Sequence, residues 1–559
     1  MNNHIHDTTL IISTQASGLN TSTLLGTGGW LPPQERKVLD WITLINWMGW
    51  RFKLIDPREL NQAIMNTCQV KWIIVTDDPD DYDPAVIDRL FEILKNYQVL
   101  IVSGSGRIGS HFSNRFGAWI ATSVIVNKLD WIGVPEHKSW TCRKDIKVNT
   151  LECRAGIEPL VTANDNVLVA VNKKATGKWV VISFSPGEVR DKEGNFTSLI
   201  KHILVYQSSL PVAWLNFENT LVLRMDDPGS SEMAHHSSYQ NTKMTEADWT
   251  LIGEELEKRK ARMTLGYVSG WVDDGNDKRG NLVINGANTI RSKGKVYPSP
   301  LVKYEAIEKD GKKKIFDYES EFRGIQQLRN KGLAEAELHG YTHIHPDKDA
   351  WINAHDKYDN KAWYREFGRN TIDYIRNIPA EEHPFKLGLA AFQDIFQTSP
   401  STLICPGEEF TNDVLTKALE ADLMFVSSYY LAISINKKLY WDQYVCAPYL
   451  DNHDPSWFDA GLPVVGYFHD FDLSIHGIGW LSDCLENWEK AGANYFIDFR
   501  ELAGILSHTI SLNKRENEFQ LNVEQKNKWK TIRPFRISAY FPETGLTIKN
   551  DYDLNQCIL

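Results

Sequence analysis

The sequence predicts an α/β protein in three parts. A doubly wound α/β layer covers residues 1–210, a β/α barrel covers 211–510 with an insertion at 270–318, and a short β-rich tail covers 511–559. Three observations predict this. Short β-branched runs alternate with amphipathic helical patterns through both large segments, as in parallel sheets with helices packed on their faces. Pro211 separates the two alternations, and Pro534, Pro542 and Gly545 put turns into the tail. The chain has 559 residues, enough for about three domains at roughly 100–200 residues each.

In the first segment, Thr8–Ser13, Phe52–Ile55, Trp72–Thr76 and Val99–Ser103 read as buried strands. Glu35–Met48 and Pro84–Asn96 read as helices between them. Strands at Val167–Val171 and Trp179–Phe184 and a helix near Phe196–Val205 follow. The second segment offers seven strands: Thr220–Met225, Met263–Val268, Glu335–His339, Thr402–Cys405, Leu423–Ser427, Val464–His469 and Tyr495–Asp498. Helices follow most of them, at Thr245–Lys258, Glu319–Lys331, Tyr364–Asn377, Asn412–Glu420, Trp480–Lys490 and Arg500–Leu506. Residues 270–318 are too long for a connection and read as an insertion with its own hairpin, Lys312–Lys314 forming a solvated tip.

Composition narrows the function. Lys and Arg total 61 and Asp and Glu 72, a formal charge of −11, which argues against nucleic acid, a partner that needs a basic face. Seven scattered cysteines, Cys68 and Cys557 among them, contain no CxxC pair, which excludes a thiolate zinc finger and disfavours a disulfide framework. The opening MNNHIHDTTLIIST lacks a basic n-region and a long apolar core. The longest uncharged apolar stretch, Leu423–Asn436, is shorter than the ~20 residues of a membrane span. The expectation is a soluble, reduced, cytoplasmic protein with no membrane span; its oligomeric state is open.

Three strand ends carry chemistry. Leu221–Met225 runs into Asp226-Asp227-Pro228-Gly229, two carboxylates whose mutual repulsion calls for a cation or a shared proton. The other reading is an acidic loop or a helix cap. Glu337-Leu338-His339-Gly340-Tyr341-Thr342-His343 sets two imidazoles four residues apart, able to face one ion, although sixteen histidines make such a spacing common by chance. Val464–Phe468 ends in His469-Asp470, an imidazole beside a carboxylate, which raises its pKa; a backbone carbonyl could equally satisfy it. Trp271, Trp351, Trp363, Trp441 and Trp457 lie in or near barrel loops, where an aromatic face either stacks on a sugar or simply packs.

Asp-Asp, then His-x3-His, then a strand-terminal His, in this order, resembles the NodB-homology polysaccharide deacetylases, carbohydrate esterase family 4. The resemblance covers about Thr220–Leu506 and implies a distorted (β/α)7 barrel. It also implies Asp227, His339 and His343 as ligands of one divalent metal, zinc by preference. Asp226 would be the base and His469 the general acid. Where the family carries an orienting Arg, this chain has Leu403-Ile404-Cys405-Pro406-Gly407-Glu408. Arg224, on the same strand face as Asp226, is the first replacement and Arg500 the second. Asp498 takes the role of partner to the acid His. The first segment is similar to flavodoxin-like, glutamine-amidotransferase-like accessory domains. Its Ser103–Gly106 turn has no cysteine nucleophile, so it is read as non-catalytic.

The implied reaction is removal of an acyl group, acetyl by preference, from an N-acylated amino sugar or polysaccharide. A backbone N–H near Gly407 or Glu408 would share the oxyanion. Two alternatives stay open: a catalytically inactive barrel that binds carbohydrate or serves assembly, and a deacylase of a small N-acylated metabolite.

Overall fold

A computed structural model describes residues 8–17, 33–65, 70–133, 138–174, 176–185, 197–235, 241–307, 311–354, 364–515 and 518–552. Trp363, Cys68, Cys557 and the first seven residues, which the sequence singled out, lie outside them. The chain is a mixed α/β protein with parallel-rich sheets. It divides into two compact units, Met1–Glu218 with Asp459–Leu462 and Gly504–Leu559, and Asn219–Phe458 with Pro463–Ala503.

The first unit is built on β1 (Thr8–Ile12), β2 (Arg51–Ile55), β3 (Val70–Val75), β4 (Leu100–Ser103), β5 (Ala118–Trp131), β6 (Lys138–Cys153), β7 (Glu158–Ala163), β8 (Asn166–Lys173) and β9 (Lys178–Ile182). Their order across the sheet is β2-β1-β3-β4-β9-β8-β6-β5-β7. The members from β2 to β9 pair in parallel; β9 to β8 and all further pairs are antiparallel. The antiparallel half includes residues 118–163, which the sequence reading passed over. Those long strands alternate buried and exposed residues only loosely, so period-2 patterning is weak there. Helix Pro84–Asn96 shows the local logic. Asp83 caps it, accepting the Ala85 N–H at 2.8 Å, and Pro84 supplies a preset φ. Ile87, Leu90, Phe91 and Leu94 then fall on one buried stripe, each side chain contributing about 1.5–3 kcal/mol. β10 (Val212–Leu215) completes this part of the unit.

The second unit begins with β11 (Thr220–Asp226) and β12 (Met263–Tyr267). The insertion contributes β13 (Gly270–Val272), β14 (Gly280–Ile284), β15 (Ala287–Thr289), β16 (Val296–Pro298), β17 (Val302–Ile307) and β18 (Lys313–Asp317). β15-β14-β17-β18 form an antiparallel sheet and β13 pairs with β16, more than the single hairpin expected. Then come β19 (Ala334–Leu338), β20 (Thr402–Ile404), β21 (Phe425–Ser427), β22 (Tyr430–Ile435), β23 (Lys438–Cys446), β24 (Val464–His469) and β25 (Tyr495–Ile497). The main sheet runs β23-β22-β21-β20-β19-β12-β11-β24, with β25 on β11. All seven expected strands are in it. Those from β21 to β24 pair in parallel, and β22 and β23 add an antiparallel edge. A parallel bridge between Tyr449 and Tyr467 brings the chain beyond β23 against β24.

Several helices differ from expectation, two of them between β19 and β20. Residues 364–368 are not helical, and the helix there is only Ile372–Asn377. Helix Pro384–Phe396 was not anticipated; Pro384 starts it and the His383 imidazole caps it, accepting the Phe385 N–H at 3.1 Å. The rest of the chain supplies β26 (His508–Arg515), β27 (Glu518–Gln525), β28 (Phe535–Phe541) and β29 (Leu546–Tyr552). β28 pairs with β10 and β29, so the tail groups with the first unit. Among the described residues no helix is long and apolar enough to cross a membrane.

Candidate metal centre

Register places the three motifs together. Along β11, Asp226 is level with His469 of β24 on one side and Gly266 of β12 on the other. Gly266 is level with Glu337 of β19, and the His339 N–H donates to Tyr267 O at 3.2 Å. Adjacent C-terminal strand ends thus present Asp226, Asp227, His339 and His469. Gly266 makes room: a Cβ there would stand 3.1 Å from Asp226 Oδ1 and 3.4 Å from His339 Cγ.

Asp227, His339 and His343 are buried and form a group able to hold a metal ion. Asp227 Oδ1 lies 3.2 Å from His339 Nε2 and 3.3 Å from His343 Nε2. The chain bends sharply to achieve this, with φ of +77° at Asp227 and +61° at His343. Such backbone costs about 1–3 kcal/mol per residue and persists only where the surroundings enforce it. Glu366 is the enforcer at the histidine loop. Its carboxylate accepts the N–H groups of Tyr341 at 2.8 Å, Thr342 at 3.0 Å and His343 at 3.2 Å. Gly340, at φ +72°, is required as well, because a Cβ would collide with Glu366 Oε2.

The donor set fits a cation. His339 Nδ1 faces the Ile404 carbonyl at 3.0 Å while its Nε2 faces a carboxylate. Burial disfavours the charged ring, but Asp227, Asp226 and the Ile404 carbonyl raise the His339 pKa, so its second proton serves the carboxylate; a neutral ring has one N–H and needs a cation in place of that proton. At His343, Asp227 Oδ1 lies beside Nε2, while Glu232 Oε2 is 3.6 Å from Nδ1, beyond hydrogen-bond reach. Burial, reinforced by His339, pushes His343 down to about 4 although Asp227 opposes it. A cation held by Asp227, His339 and His343 would replace the proton His339 otherwise needs at Nε2 and leave its Nδ1–H for the Ile404 carbonyl. One carboxylate oxygen and two imidazole nitrogens suit zinc or a similar borderline metal. Asp227 stays far below the ordinary carboxylate range: burial pushes it up, but the neighbouring imidazoles more than offset this.

Asp226 and Arg224 share one face of β11. Arg224 Nε donates to Asp226 Oδ1 at 2.8 Å, Nη2 reaches Asp226 Oδ2, and Nη2 also meets Glu408 Oε1 at 2.5 Å. Nη1 donates to Ser427 Oγ and the Ser428 carbonyl, both at 3.3 Å. Arg224 is fully buried, and although burial works against its charge, Asp226 and Glu408 hold it protonated. Glu408 was missed in the sequence reading; an Arg two residues before an acid on a strand was the only available sign of a buried charge network.

Arg500 is not near Asp226. Its Nη2 donates to Ser399 O at 2.6 Å, and its Nε lies 3.4 Å from Glu337 Oε1. Asp498 does not partner His469 either. Arg262 at 2.8 Å and the Glu501 N–H at 2.7 Å occupy its carboxylate. His469 has other partners: Nδ1 lies 3.2 Å from the Tyr449 hydroxyl and 3.6 Å from Asp472 Oδ2. Asp472 also accepts the His469 N–H at 2.8 Å and the Tyr449 hydroxyl proton. Burial disfavours the imidazolium, but Asp472, Asp227 and Asp226 raise it to about 9. The spacing His469-x2-Asp472 was a helix-capping signal the sequence reading did not use.

The proposed oxyanion donor at Glu408 is also taken, since its N–H donates to Cys405 O at 2.9 Å. Trp271, Trp351 and Trp441 are buried, so they pack and offer no face to a sugar. His345 caps the next turn, accepting the Asp347 N–H at 3.1 Å. Among the described residues, Tyr429 and Tyr374 are exposed, while Tyr364, Tyr467 and Trp457 are half-buried.

No family model and no curated protein matches the chain. Solved structures show distant similarity. A Mycobacterium smegmatis protein assigned as a polysaccharide deacetylase is 10% identical over 53% of this chain and 92% of that one, at a TM-score of 0.30. The CE4 family pseudoenzyme BA3943 from Bacillus anthracis is 9% identical over 51% and 66%, at 0.25. A ThuA-like protein from Bacteroides uniformis is 9% identical over 37% and 95%, at 0.26. The chain spans only 27% of a GH42 beta-galactosidase it also matches. TM-scores this low carry neither fold nor activity across, and the site is argued from its own geometry.

Proposed function

We propose that the second unit is a metal-dependent deacylase that hydrolyses the amide of an N-acylated amino sugar or polysaccharide, acetyl by preference. The observation that carries this reading is the convergence of Asp227, His339 and His343 beside an Asp226 clamped by Arg224. A divalent ion such as zinc, held by Asp227, His339 and His343, would supply a polarised carbonyl and a more acidic water. Asp226 accepts the proton of the attacking water. Arg224 keeps that carboxylate aimed. His469, protonated at neutral pH, delivers a proton to the departing nitrogen, and Asp472 with Tyr449 holds its ring. The water's O–H bond breaks, C–O forms, C–N breaks and N–H forms, giving a carboxylate and an amine. Asp226 and Asp227 sit on neighbouring residues with different partners, which supports separate roles.

The wider architecture we propose is a distorted (β/α)7 barrel in the second unit, which the Tyr449–Tyr467 bridge supports by returning the chain toward β24. The β2-β1-β3-β4-β9 order supports a flavodoxin-like first domain over 1–210. We propose that this domain is non-catalytic: Ser103 is buried under the Trp179 indole, which donates to its Oγ at 2.9 Å, and no thiol stands at that turn.

One observation favours the inactive, carbohydrate-binding alternative: the Glu408 N–H is committed to Cys405 O and is not free for an oxyanion. The test is metal analysis of the pure protein together with acid release from N-acetylated sugars and small N-acyl compounds. Metal without turnover on any of them supports the binding reading. Release only from small compounds supports the metabolite deacylase.

A further inference from the structure

Among the described residues, the buried charges around the centre differ in their partners. Lys243 is engaged by Asp470, by Glu321 at 3.2 Å and by the Asp227 carbonyl at 3.3 Å. Arg224 is engaged by Asp226 and Glu408. Glu232 is buried, yet among the described residues its ion-pair contact is only with His343. Taking a carboxylate out of water without a cation costs several kcal/mol. The site tolerates this if positive charge arrives a few ångströms away.

We propose that Glu232 is a positioning residue for His343: its carboxylate accepts a hydrogen bond from Nδ1–H, which keeps the proton on that nitrogen and leaves the Nε2 lone pair free to bind the ion. The inference rests on the metal-centre reading above. For His339 the tautomer is settled by a backbone carbonyl, since Ile404 O accepts and never donates, at 3.0 Å from Nδ1. The backbone acceptor felt by the His343 ring is its own carbonyl, not one from another strand. The His343 Nδ1 is buried with no hydrogen-bond partner, and Glu232 Oε2 is the nearby acceptor at 3.6 Å. That separation is longer than a hydrogen bond, so a small rotation closes it once the ring is fixed from the Nε2 side. The local chain aims the carboxylate. After the left-handed residues Asp227 and Gly229, Ser230 Oγ accepts the Glu232 N–H at 3.2 Å and opens the helical turn Glu232–His235. Two ligand histidines with unlike second partners, a neutral carbonyl and a carboxylate, follow the general pattern in which an outer acceptor fixes ring orientation and strengthens the donor.

The test is a Zn²⁺ competition titration against a chelator for the full chain, wild type, Glu232→Gln and Glu232→Ala, with folding checked by circular dichroism. Wild type should bind one Zn²⁺, and Glu232→Ala should bind about 10–100-fold more weakly. Glu232→Gln keeps an acceptor oxygen without the charge and should fall between. In ¹⁵N-histidine spectra of Zn²⁺-loaded wild type, His343 should carry its proton on Nδ1; this readout stands even if a variant fails to fold. Zn²⁺ bound by wild type with unchanged affinity in both folded variants overturns the inference alone. A His343 proton on Nε2 does the same. No Zn²⁺ bound by wild type overturns the metal-centre reading and this inference with it.

Discussion

Replacing Arg224 with Met tests the coupling between the base and its clamp. The guanidinium is wholly buried and spans two carboxylates, at 2.8 Å to Asp226 Oδ1 and 2.5 Å to Glu408 Oε1. Two unit charges at such a separation attract by about 6 kcal/mol at an effective dielectric near 20. Desolvation of the Arg offsets much of that, so the pair itself stabilises weakly. Removing one partner is different, because it strands buried charge and costs about 3–5 kcal/mol. Against a typical stability of about 5–15 kcal/mol, Arg224→Met should be weakened but folded. Part of the cost is relieved by proton uptake. Burial already holds Glu408 above its ordinary range while Arg224 pulls it down, so loss of the Arg raises it further. Turnover should fall by roughly 10² or more, the penalty for losing orientation at a reacting group. Bound metal should hardly change, since Asp227, His339 and His343 do not touch Arg224. Arg224→Lys retains the charge but not the two-pronged grip and should be intermediate. The assay combines urea denaturation, elemental analysis and initial rates on the best N-acyl substrate. Turnover within twofold of wild type at full metal content would refute the clamp. Metal lost in step with activity would instead make Arg224 a support of the metal centre.

The other expectations concern the surrounding shell. His339→Ala and Asp227→Ala should abolish tight metal binding, whereas His345→Ala should leave it unchanged because that ring only caps a turn; dialysis followed by elemental analysis distinguishes them. His469 titrates near 9 in the folded protein against 6.5 when free, so its contribution is full below about 6.5 and is lost as pH rises through about 9. That is at most about 3 kcal/mol, reduced because 26% of the ring is exposed. Asp472→Asn should flatten this loss in chelator-treated protein and bring the His469 titration, followed by NMR, back toward 6.5. Burial pushes Glu366 to about 7 despite its backbone hydrogen bonds. Glu366→Gln should cost about 1–3 kcal/mol and weaken metal binding, since one amide oxygen cannot serve the N–H groups of Tyr341, Thr342 and His343 together. An unaltered melting temperature and metal affinity in this variant would show that the loop holds its shape without the carboxylate.

The sequence by itself determined the seven parallel strands of the second unit and the residue types at their ends. Most of the seven expected strands of the second unit were legible as short apolar runs, although Glu335–His339 carries two acids, and a run that ends in Asp226-Asp227, His339 or His469 marks a change from core to chemistry. Alternation along β11 was enough to put Arg224 beside Asp226, because the side-chain period of a strand is local. Only the tertiary structure decided which distant groups answer these. Glu408 meets Arg224 across 184 positions, Glu366 gathers the histidine loop from 23 to 25 residues away, and Asp498 turns to Arg262 instead of His469. Such pairings are set by sheet order and register, which join strands remote in the chain. A buried carboxylate takes whichever donor packing brings within about 3 Å, and no spacing in the sequence encodes that distance.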